Sequence, residues 1–363
     1  MNGKSPVAGK PANRTFRANL VTYGMVIVLY AIVELLRAGN LLSNSMSGLL
    51  VPICSYVIMA VSLNLTVGIL GELSLGHAGF MSVGAFMGAF VSVCMEGAAP
   101  EWVCMLLALA VGTAAAALFG FIIGIPVLRL EGDYLAIVTL AFGEIIKNIV
   151  NSLYIGRDAS GFHFSMKDTL SLGLDETGET IINGAQGITG MPRMATFTLG
   201  VALILLTLFV VLNLIHSRTG RAVMSIRDNR IAAESVGVNV TKYKLIAFTV
   251  SAALAGLAGS FYAHNFSTLV AKKFDYNTSI LILVFIVVGG MGNIRGSVIA
   301  AIALTLLPEL LRGGFSDYRM LVYAVILIVM MLFGQSPKLV VWRQKIVAKF
   351  APRKQGTAGG KEA

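Results

Sequence analysis

The sequence predicts an all-α fold, a polytopic bundle of about 8 to 10 transmembrane segments in which re-entrant or broken helices are allowed. Of its 363 residues, 56% are hydrophobic and 13% are charged, about half the charged fraction of a typical soluble domain. The apolar residues form runs long enough to cross a hydrocarbon core of ~30 Å. The basic residues behind the net charge of +10 concentrate in two tails and one internal segment. This distribution is typical of membrane orientation and argues against a nucleic-acid partner.

Nine apolar regions follow one another along the chain, and each is a candidate membrane segment. Residues 279–292 are few for a full crossing, so this region fits a re-entrant segment as well. The last region has room for two segments, with a break near RGGFSDYR at 312–319. In chain order the nine regions are 20–36, 46–69, 73–95, 102–128, 134–154, 195–216, 244–263, 279–292 and 296–334.

The charged residues of the loops predict which side of the membrane each loop faces. The N-terminal tail up to Arg17 has four basic and no acidic residues, and the tail after Gly334 has seven basic residues and one acidic. Residues 217–244 have six basic and two acidic residues. Because Lys and Arg are retained on the cytoplasmic side, both termini and this segment are predicted to be cytoplasmic. Loop 156–194, with three basic and five acidic residues, is predicted to lie outside.

This orientation divides the chain into three parts. Residues 1–19 are a basic cytoplasmic tail, residues 335–363 are a second one, and residues 20–334 are the transmembrane domain, with the external loop 156–194 and the cytoplasmic loop 217–243. In the second tail, PKLVVWRQKIVAKF places apolar side chains on one helical face with basic side chains beside them. That pattern is typical of a helix that lies on an anionic lipid surface.

The residue types that metal binding or catalysis needs are not arranged for either. The four histidines and three cysteines are scattered along the sequence without metal-ligand spacing. The sequence contains no HExxH, GxSxG or P-loop motif. We therefore expect no metal, no cofactor and no catalytic residues in this chain, and a polytopic membrane enzyme is disfavoured.

Glycines inside the apolar regions predict close packing of helices. GAFMG (84–88), GFIIG (120–124) and GNIRG (292–296) each have two glycines four residues apart. This spacing lets the backbones of neighbouring membrane helices approach closely. A moving or broken helix is the alternative interpretation of the same glycines.

Two further stretches place polar side chains inside or beside apolar regions. GELSLGHAGFMSVGAF has Ser74 and His77 among glycines, which is typical of a bent or re-entrant helix that lines a cavity. A hydrogen-bonded structural histidine is the alternative. Glu144 lies well inside another apolar region, with Lys147 one helical turn later. A carboxylate in lipid is expensive unless it is paired or faces water, so Glu144 is predicted to pair with Lys147 or to take part in a pathway or gate.

The internal basic segment contains IRDNRIAAESVGVNVTKYK, which is patterned as one short helix. Ile226, Arg230 and Ala233 recur at helical spacing, Gly237 is placed to end the helix, and Asn239 or Thr241 is placed to cap the next one. A small, Ala-rich face of this kind suits a groove in another protein. A solvated loop helix is the alternative.

Taken together, these stretches resemble the permease family of high-affinity branched-chain amino acid ABC importers. The resemblance covers residues 46–334, and Ile231 stands where the general Glu-Ala-Ala pattern has its glutamate. In chain order it is carried by GELSLGHAGFMSVGAF, LRLEGDYLAIVTLAFGEIIK, NGAQGITG, GRAVMSIRDNRIAAESVGVNVTKYKLIAF and VFIVVGGMGNIRGSVIAA. In such importers a cytoplasmic loop helix inserts into a cleft of the ATPase subunit. By position, the resemblance gives this coupling role to Ile226, Ala232, Ala233, Glu234 and Gly237.

The resemblance also implies a function, partners and a location. The chain would be the membrane subunit of an ATP-driven importer of leucine, isoleucine and valine in the bacterial inner membrane, working by alternating access. Its partners would be a homologous second permease, two ATP-binding cassette ATPases, an external solute-binding protein and membrane lipid, and only the ATPases would use ATP. Ser74, His77 and Glu144 are then candidates for the translocation pathway.

Two other functions stay open at the level of the sequence. A permease for urea or short amides would look similar in fold. An ion-coupled secondary carrier would use Glu144 and Lys147 as its coupling pair, and its uptake would then depend on an ion gradient instead of ATP.

Overall fold

The computed structural model describes residues 12–39, 43–97, 99–130, 132–158, 161–174, 178–311, 324–325 and 328. The second basic tail, most of the first one and the break expected at 312–319 lie outside the described residues. A first compact unit extends to Glu309, and the contacts discussed below lie within it.

Nine α-helices of the described chain lie in the nine predicted apolar regions, the last of which is described only in its first part, and two more lie in the loop 217–243. The prediction of an all-α membrane bundle is therefore confirmed. The helices are α1 (Ala12–Ala38), α2 (Asn44–Asn64), α3 (His77–Cys94), α4 (Glu101–Val127), α5 (Asp133–Asn151), α6 (Phe197–His216), α7 (Arg218–Asp228), α8 (Arg230–Ser235), α9 (Val240–Ala263), α10 (Tyr276–Gly289) and α11 (Ile294–Leu310).

Six helical segments of the described chain are long and apolar enough to cross a membrane. Two of the remaining helices are shorter: α10 has 14 residues and α11 has 17. The short length expected for residues 279–292 is thus confirmed. The six segments are Asn19–Ala38, Asn44–Leu70, His77–Cys94, Glu101–Val127, Phe197–His216 and Val240–Ala263.

Helices α3, α4 and α9 pack closely because glycines lie at their contacts. A Cβ atom on Gly84 of α3 would lie 2.2 Å from the carbonyl oxygen of Gly256 in α9. A Cβ atom on Gly120 of α4 would lie 2.4 Å from the Cβ of Ala252, also in α9. Neither position has room for a side chain. The close packing predicted from the first two glycine pairs is therefore confirmed.

The long helix that begins with α2 is broken before α3. It continues as a π-helix, Leu65–Leu70, and ends at Gly71, whose φ is +82°. A left-handed φ of this size favours glycine because it has no Cβ. Residues 71–76 are non-helical, and α3 starts at His77. The bend predicted for this stretch is thus confirmed as a complete break, which we call the helix break (residues 71–76).

The turn that joins α10 to α11 meets α2. The N–H of Gly292, in this turn, donates to Oδ1 of Asn64 at 2.9 Å, and Nδ2 of Asn64 donates to Oγ of Ser297 at 2.8 Å. A Cβ atom on Gly296 would lie 1.8 Å from the carbonyl oxygen of Gly289. The third glycine pair therefore also marks a close approach, here between the end of α10 and the start of α11.

The loop 156–194, predicted to lie outside, contains short β-strands that its sequence does not predict. The first three strands form an antiparallel sheet in the order β2-β1-β3, and β4 pairs with β5. The second pairing ties NGAQGITG to the segment after α9. The strands are β1 (Tyr154–Asp158), β2 (Gly161–Ser165), β3 (Glu179–Asn183), β4 (Ile188–Thr189) and β5 (Thr268–Leu269).

Candidate functional site

The stretch around IRDNRIAAESVG, predicted as one helix, forms two, so that prediction is wrong. Helix α7 ends at Asp228 and α8 begins at Arg230, with Asn229 between them in an extended conformation (φ −159°, ψ 105°). Oδ1 of Asn229 accepts a hydrogen bond from the N–H of Ala232 at 3.0 Å. An asparagine side chain that caps a helix in this way offers the backbone an alternative to continuing the previous helix. The chain therefore bends at Asn229.

The end of α8 follows the prediction. Gly237 has a φ of +85°, and its N–H donates to the carbonyl oxygen of Glu234 at 2.9 Å. The N–H of Val238 donates to the carbonyl oxygen of Ala233 at 3.0 Å. Both bonds satisfy carbonyl groups that the helix end leaves without a helical partner. Asn239 caps α9, because its Oδ1 accepts a hydrogen bond from the N–H of Lys242. The stop at Gly237 and the cap at Asn239 are confirmed.

The residues to which the resemblance gives a coupling role face two directions. Ile226 and Ala233 are buried together with Val240 of α9. By contrast, Ala232, Glu234 and Gly237 are exposed. A groove in another protein can therefore reach the second group but not the first.

Two apolar side chains to which the family resemblance gives no role are exposed on α8 or directly after it. Ile231 is 80% exposed, and Val236, just after α8, is 78% exposed. The only signal for them in the sequence is their apolar, β-branched character within a polar stretch. We call Ile231, Ala232, Glu234 and Val236 the coupling surface.

Two polar contacts join α7 and α9 to the π-helix and to the helix break. Nη1 of Arg227, in α7, donates to the carbonyl oxygen of Gly68 in the π-helix at 3.1 Å. The stem of Arg227 lies against Gly71, where an added Cβ would be 2.7 Å from its Cγ. Nearby, Lys244 of α9 forms an ion pair with Glu72, and the two side chains are only 4% and 14% exposed. A cavity of about 310 Å³ lies between these groups.

The helix break is also held by helices on its other side. The N–H of Leu75 donates to Oγ1 of Thr139 in α5 at 3.1 Å, and the N–H of Ala78 donates to Oγ of Ser279 in α10 at 3.0 Å. A Cβ atom on Gly76 would lie 2.0 Å from the carbonyl oxygen of Thr139. The break therefore contacts α5, α7 and α9, and the first turn of α3 directly after it contacts α10.

Ser74 and His77 lie inside the protein. His77 is 2% exposed, and its Nε2 lies 2.7 Å from Oγ of Ser62 in α2. Ser74 is 1% exposed, and its Oγ has no hydrogen-bond partner among the described residues. The histidine is thus hydrogen-bonded within the bundle, which matches the structural alternative, and neither residue lies on an open surface in this conformation.

Glu144 pairs with Lys147, one of the two roles predicted for it. Its Oε1 also accepts a hydrogen bond from the N–H of Tyr276 at 3.2 Å, so it joins α5 to the start of α10. The carboxylate of Asp275 lies beside them: burial raises its pKa, but hydrogen bonds from Thr278 and Asn277 and the charge of Lys147 outweigh this and hold the pKa below its usual value. Glu144 and Lys147 are 29% and 20% exposed, so this cluster, unlike His77, reaches the surface of the chain.

Comparisons with known proteins give this chain relatives of one kind. The sequence model of a family described as the permease component of branched-chain amino acid transport systems matches residues 45–332. The chain is 35% identical to the high-affinity branched-chain amino acid permease protein LivM of Salmonella typhimurium, over 85% of this chain and 72% of that protein. The fructose import permease protein FruG of Bifidobacterium longum is 23% identical, over 85% and 86%. The permease protein LivH of Escherichia coli is 21% identical, over 77% and 89%. No solved structure matches the chain.

Replacing Lys244 by Met should destabilise the protein strongly. The change leaves Glu72 buried without its partner, and breaking a buried pair in this way costs about 3–5 kcal/mol. Adding Glu72→Gln should restore much of the loss, because the second change removes the unpaired charge. The free energy of unfolding of the purified protein in detergent measures both effects.

The matched control is Glu234→Gln, which breaks the exposed pair with Arg230. Exposed pairs contribute only about 0–1 kcal/mol, so this variant should behave like the unaltered protein. Equal, small losses for Lys244→Met and Glu234→Gln would show that the pair with Glu72 does not hold the helix break.

Proposed function

Since the chain belongs to the family of permease components of branched-chain amino acid transport systems, we propose that it is the membrane subunit of an ATP-driven importer for leucine, isoleucine and valine. The family consists of transport components. The proposal adds the solute class, the energy source and the mechanism of alternating access. The 35% identity to a branched-chain amino acid permease supports the solute class, against 23% to a fructose permease.

The complete importer needs partners for binding and for energy. We propose a second, homologous permease, two ATP-binding cassette ATPases and an external solute-binding protein, assembled in the bacterial inner membrane with both termini of this chain in the cytoplasm. Escherichia coli has two proteins described as permeases of the high-affinity branched-chain amino acid transport system, LivM and LivH, and this chain is similar to both, which supports a pair of unlike permeases. ATP would be bound and hydrolysed by the ATPases, and this chain would need no cofactor.

The observation that carries the proposal is the coupling surface and the packing of α7 and α8 on α9. Ile231 and Val236 expose apolar area on a short, rigidly capped helix. Burying each in a groove of an ATPase would contribute about 1.5–3 kcal/mol. Ala232 between them has a small side chain that allows close approach, and Glu234 adds a charged rim. The buried residues Ile226 and Ala233 would serve the coupling role from the inner side, by fixing α7 and α8 on α9.

Closure of the ATPases would reach the membrane bundle through Arg227. A displacement of α7 moves its guanidinium group against the carbonyl of Gly68, and thereby moves the π-helix and the helix break. The break contacts α5, which carries Glu144, and the first turn of α3 contacts α10, which carries Tyr276. Glu144 is the candidate pathway residue that reaches the surface of the chain. His77 would hold the start of α3 through Ser62, and Ser74 would line the pathway from inside.

Uptake measurements separate this function from its rivals. Proteoliposomes that hold the chain with the proposed partners should accumulate labelled leucine when ATP is supplied to the ATPases. Unlabelled isoleucine and valine should compete, whereas urea and fructose should not. Uptake that ignores ATP but collapses with a proton or sodium gradient would identify a secondary carrier, and competition by urea alone would identify the amide permease.

Ile231→Asp should abolish docking of the ATPases. The change places a charge in an apolar groove, so we expect leucine uptake to fall by about tenfold or more, with normal insertion of the chain in the membrane. Copurification of the ATPases and uptake are the two measurements.

Leu170→Asp is the matched control. Leu170 is 90% exposed in the external loop, on the side of the membrane opposite to the proposed ATPases, so it is a control for copurification of the ATPases. If Ile231→Asp left copurification at the level of Leu170→Asp, α8 would not be the docking helix.

A further inference from the structure

An apolar groove of about 200 Å³ runs along α1, between this helix and α2, α6 and α11. On α1 it is lined by one helical face, from Val26 to Leu36, and on the opposite wall by Ile53 and Val57 of α2 and Val201 of α6. Among the described side chains on this face of α1, Tyr30 forms a hydrogen bond, with its hydroxyl 3.3 Å from Oγ1 of Thr198. The wall of the groove is thus almost purely hydrocarbon.

The length of the groove matches one leaflet of a membrane. Val26 and Leu36 are ten residues apart on a helix, so they are separated by about 15 Å along its axis. The hydrocarbon core of a bilayer is about 30 Å thick. The groove therefore spans half of the core, which is the depth that one acyl chain occupies.

A polar pocket continues the groove at its outer end. This second pocket, of about 410 Å³, shares Leu50 and Phe197 with the groove and is lined by Arg37, Ser47 and Asn265. Arg37 directly follows the last groove residue of α1. A cationic side chain, a hydroxyl and an amide thus stand where the apolar wall ends.

We propose that the groove and the polar pocket together bind one glycerophospholipid. One acyl chain lies along α1, and the phosphate lies against the guanidinium group of Arg37. Guanidinium groups bind phosphate oxygens through two parallel hydrogen bonds. Glu34 lies 3.7 Å from Arg37 in an exposed pair, and the guanidinium group has enough donors for a carboxylate and a phosphate at once.

The shape of the groove excludes a protein helix as its occupant. A helix with its side chains is about 10–12 Å wide, and a cleft of this volume with walls on four helices does not admit it. Water does not fill it either, because a water molecule needs two to four polar partners. A flexible hydrocarbon chain is narrow enough for the groove and needs no polar partners.

The lipid also explains how α1 is held. Its described polar contacts with the bundle are Thr22, whose Oγ1 accepts a hydrogen bond from Nε of Arg295 at 2.8 Å, and Tyr30 with Thr198. Val33, Leu36 and Arg37 lie beyond the second contact. An acyl chain in the groove supplies the apolar packing that this outer part of the helix lacks, whatever solute the protein carries.

Native mass spectrometry of the full-length chain in detergent, titrated with phosphatidylglycerol, tests the site. We expect one phosphatidylglycerol per chain at saturation. Arg37→Gln removes the phosphate partner and should raise the dissociation constant by about tenfold, and Val201→Trp, which fills the groove, should do the same. Arg129→Gln, an exposed arginine just after α4 and away from both pockets, should leave the dissociation constant unchanged.

Two ligands test the same site in the unaltered chain, so the result does not depend on the folding of a variant. Diacylglycerol with the same chains lacks the phosphate, and glycerol phosphate lacks the chains; each should bind at least about tenfold more weakly than the phospholipid. Equal binding of diacylglycerol would overturn the role of Arg37, and equal binding of glycerol phosphate would overturn the role of the groove. If Arg37→Gln and Arg129→Gln weakened phosphatidylglycerol binding equally, the lipid would be held by unspecific attraction between charges and not by a site at Arg37.

Discussion

The buried ion pair between Lys244 and Glu72 joins parts of the chain that are 172 residues apart. Neither charge is stable alone in this environment, because burying an unpaired charge costs several times more than a typical hydrogen bond contributes. The start of α9 is therefore fixed to the helix break. Since α7 and α8 are packed on α9 through Ile226 and Ala233, the position of the coupling surface depends on this pair as well.

In the proposed importer, the same arrangement would let α7 and α8 act at a distance. Arg227 contacts the π-helix directly, the break behind it is hydrogen-bonded to α5, and the first turn of α3 is hydrogen-bonded to α10. Glycines at the contacts of α3 with α9 leave no room for independent adjustment. When one helix of a closely packed bundle is displaced, the bundle changes from one packing arrangement to another and does not deform locally. Alternating access requires this behaviour.

The architecture was largely predictable from the sequence, because runs of apolar residues determine where membrane helices form. The break near Gly71 and the helix stop at Gly237 were also predictable, since both depend on local residue types. The bend at Asn229 was not predictable. The capping hydrogen bond of its side chain competes with continuation of α7, and the sequence pattern does not show which of the two has the lower free energy. The inward orientation of Ile226 depends on α9, and the contact of Arg227 with Gly68 joins residues 159 positions apart; such partners appear only in the folded chain.

Hydrogen exchange of the backbone amides in residues 65–76 tests the central claim most directly. In the assembled importer, trapping the ATPases in their nucleotide-bound, closed state should change the exchange rates of these amides. In a variant with Arg227→Leu the ATPases should still close, but the rates in 65–76 should stay at their nucleotide-free values. Two results would contradict the transmission of movement through Arg227 to the helix break. One is that nucleotide trapping leaves the exchange rates of the unaltered importer as they were, and the other is that it changes the rates of the variant as much as those of the unaltered importer.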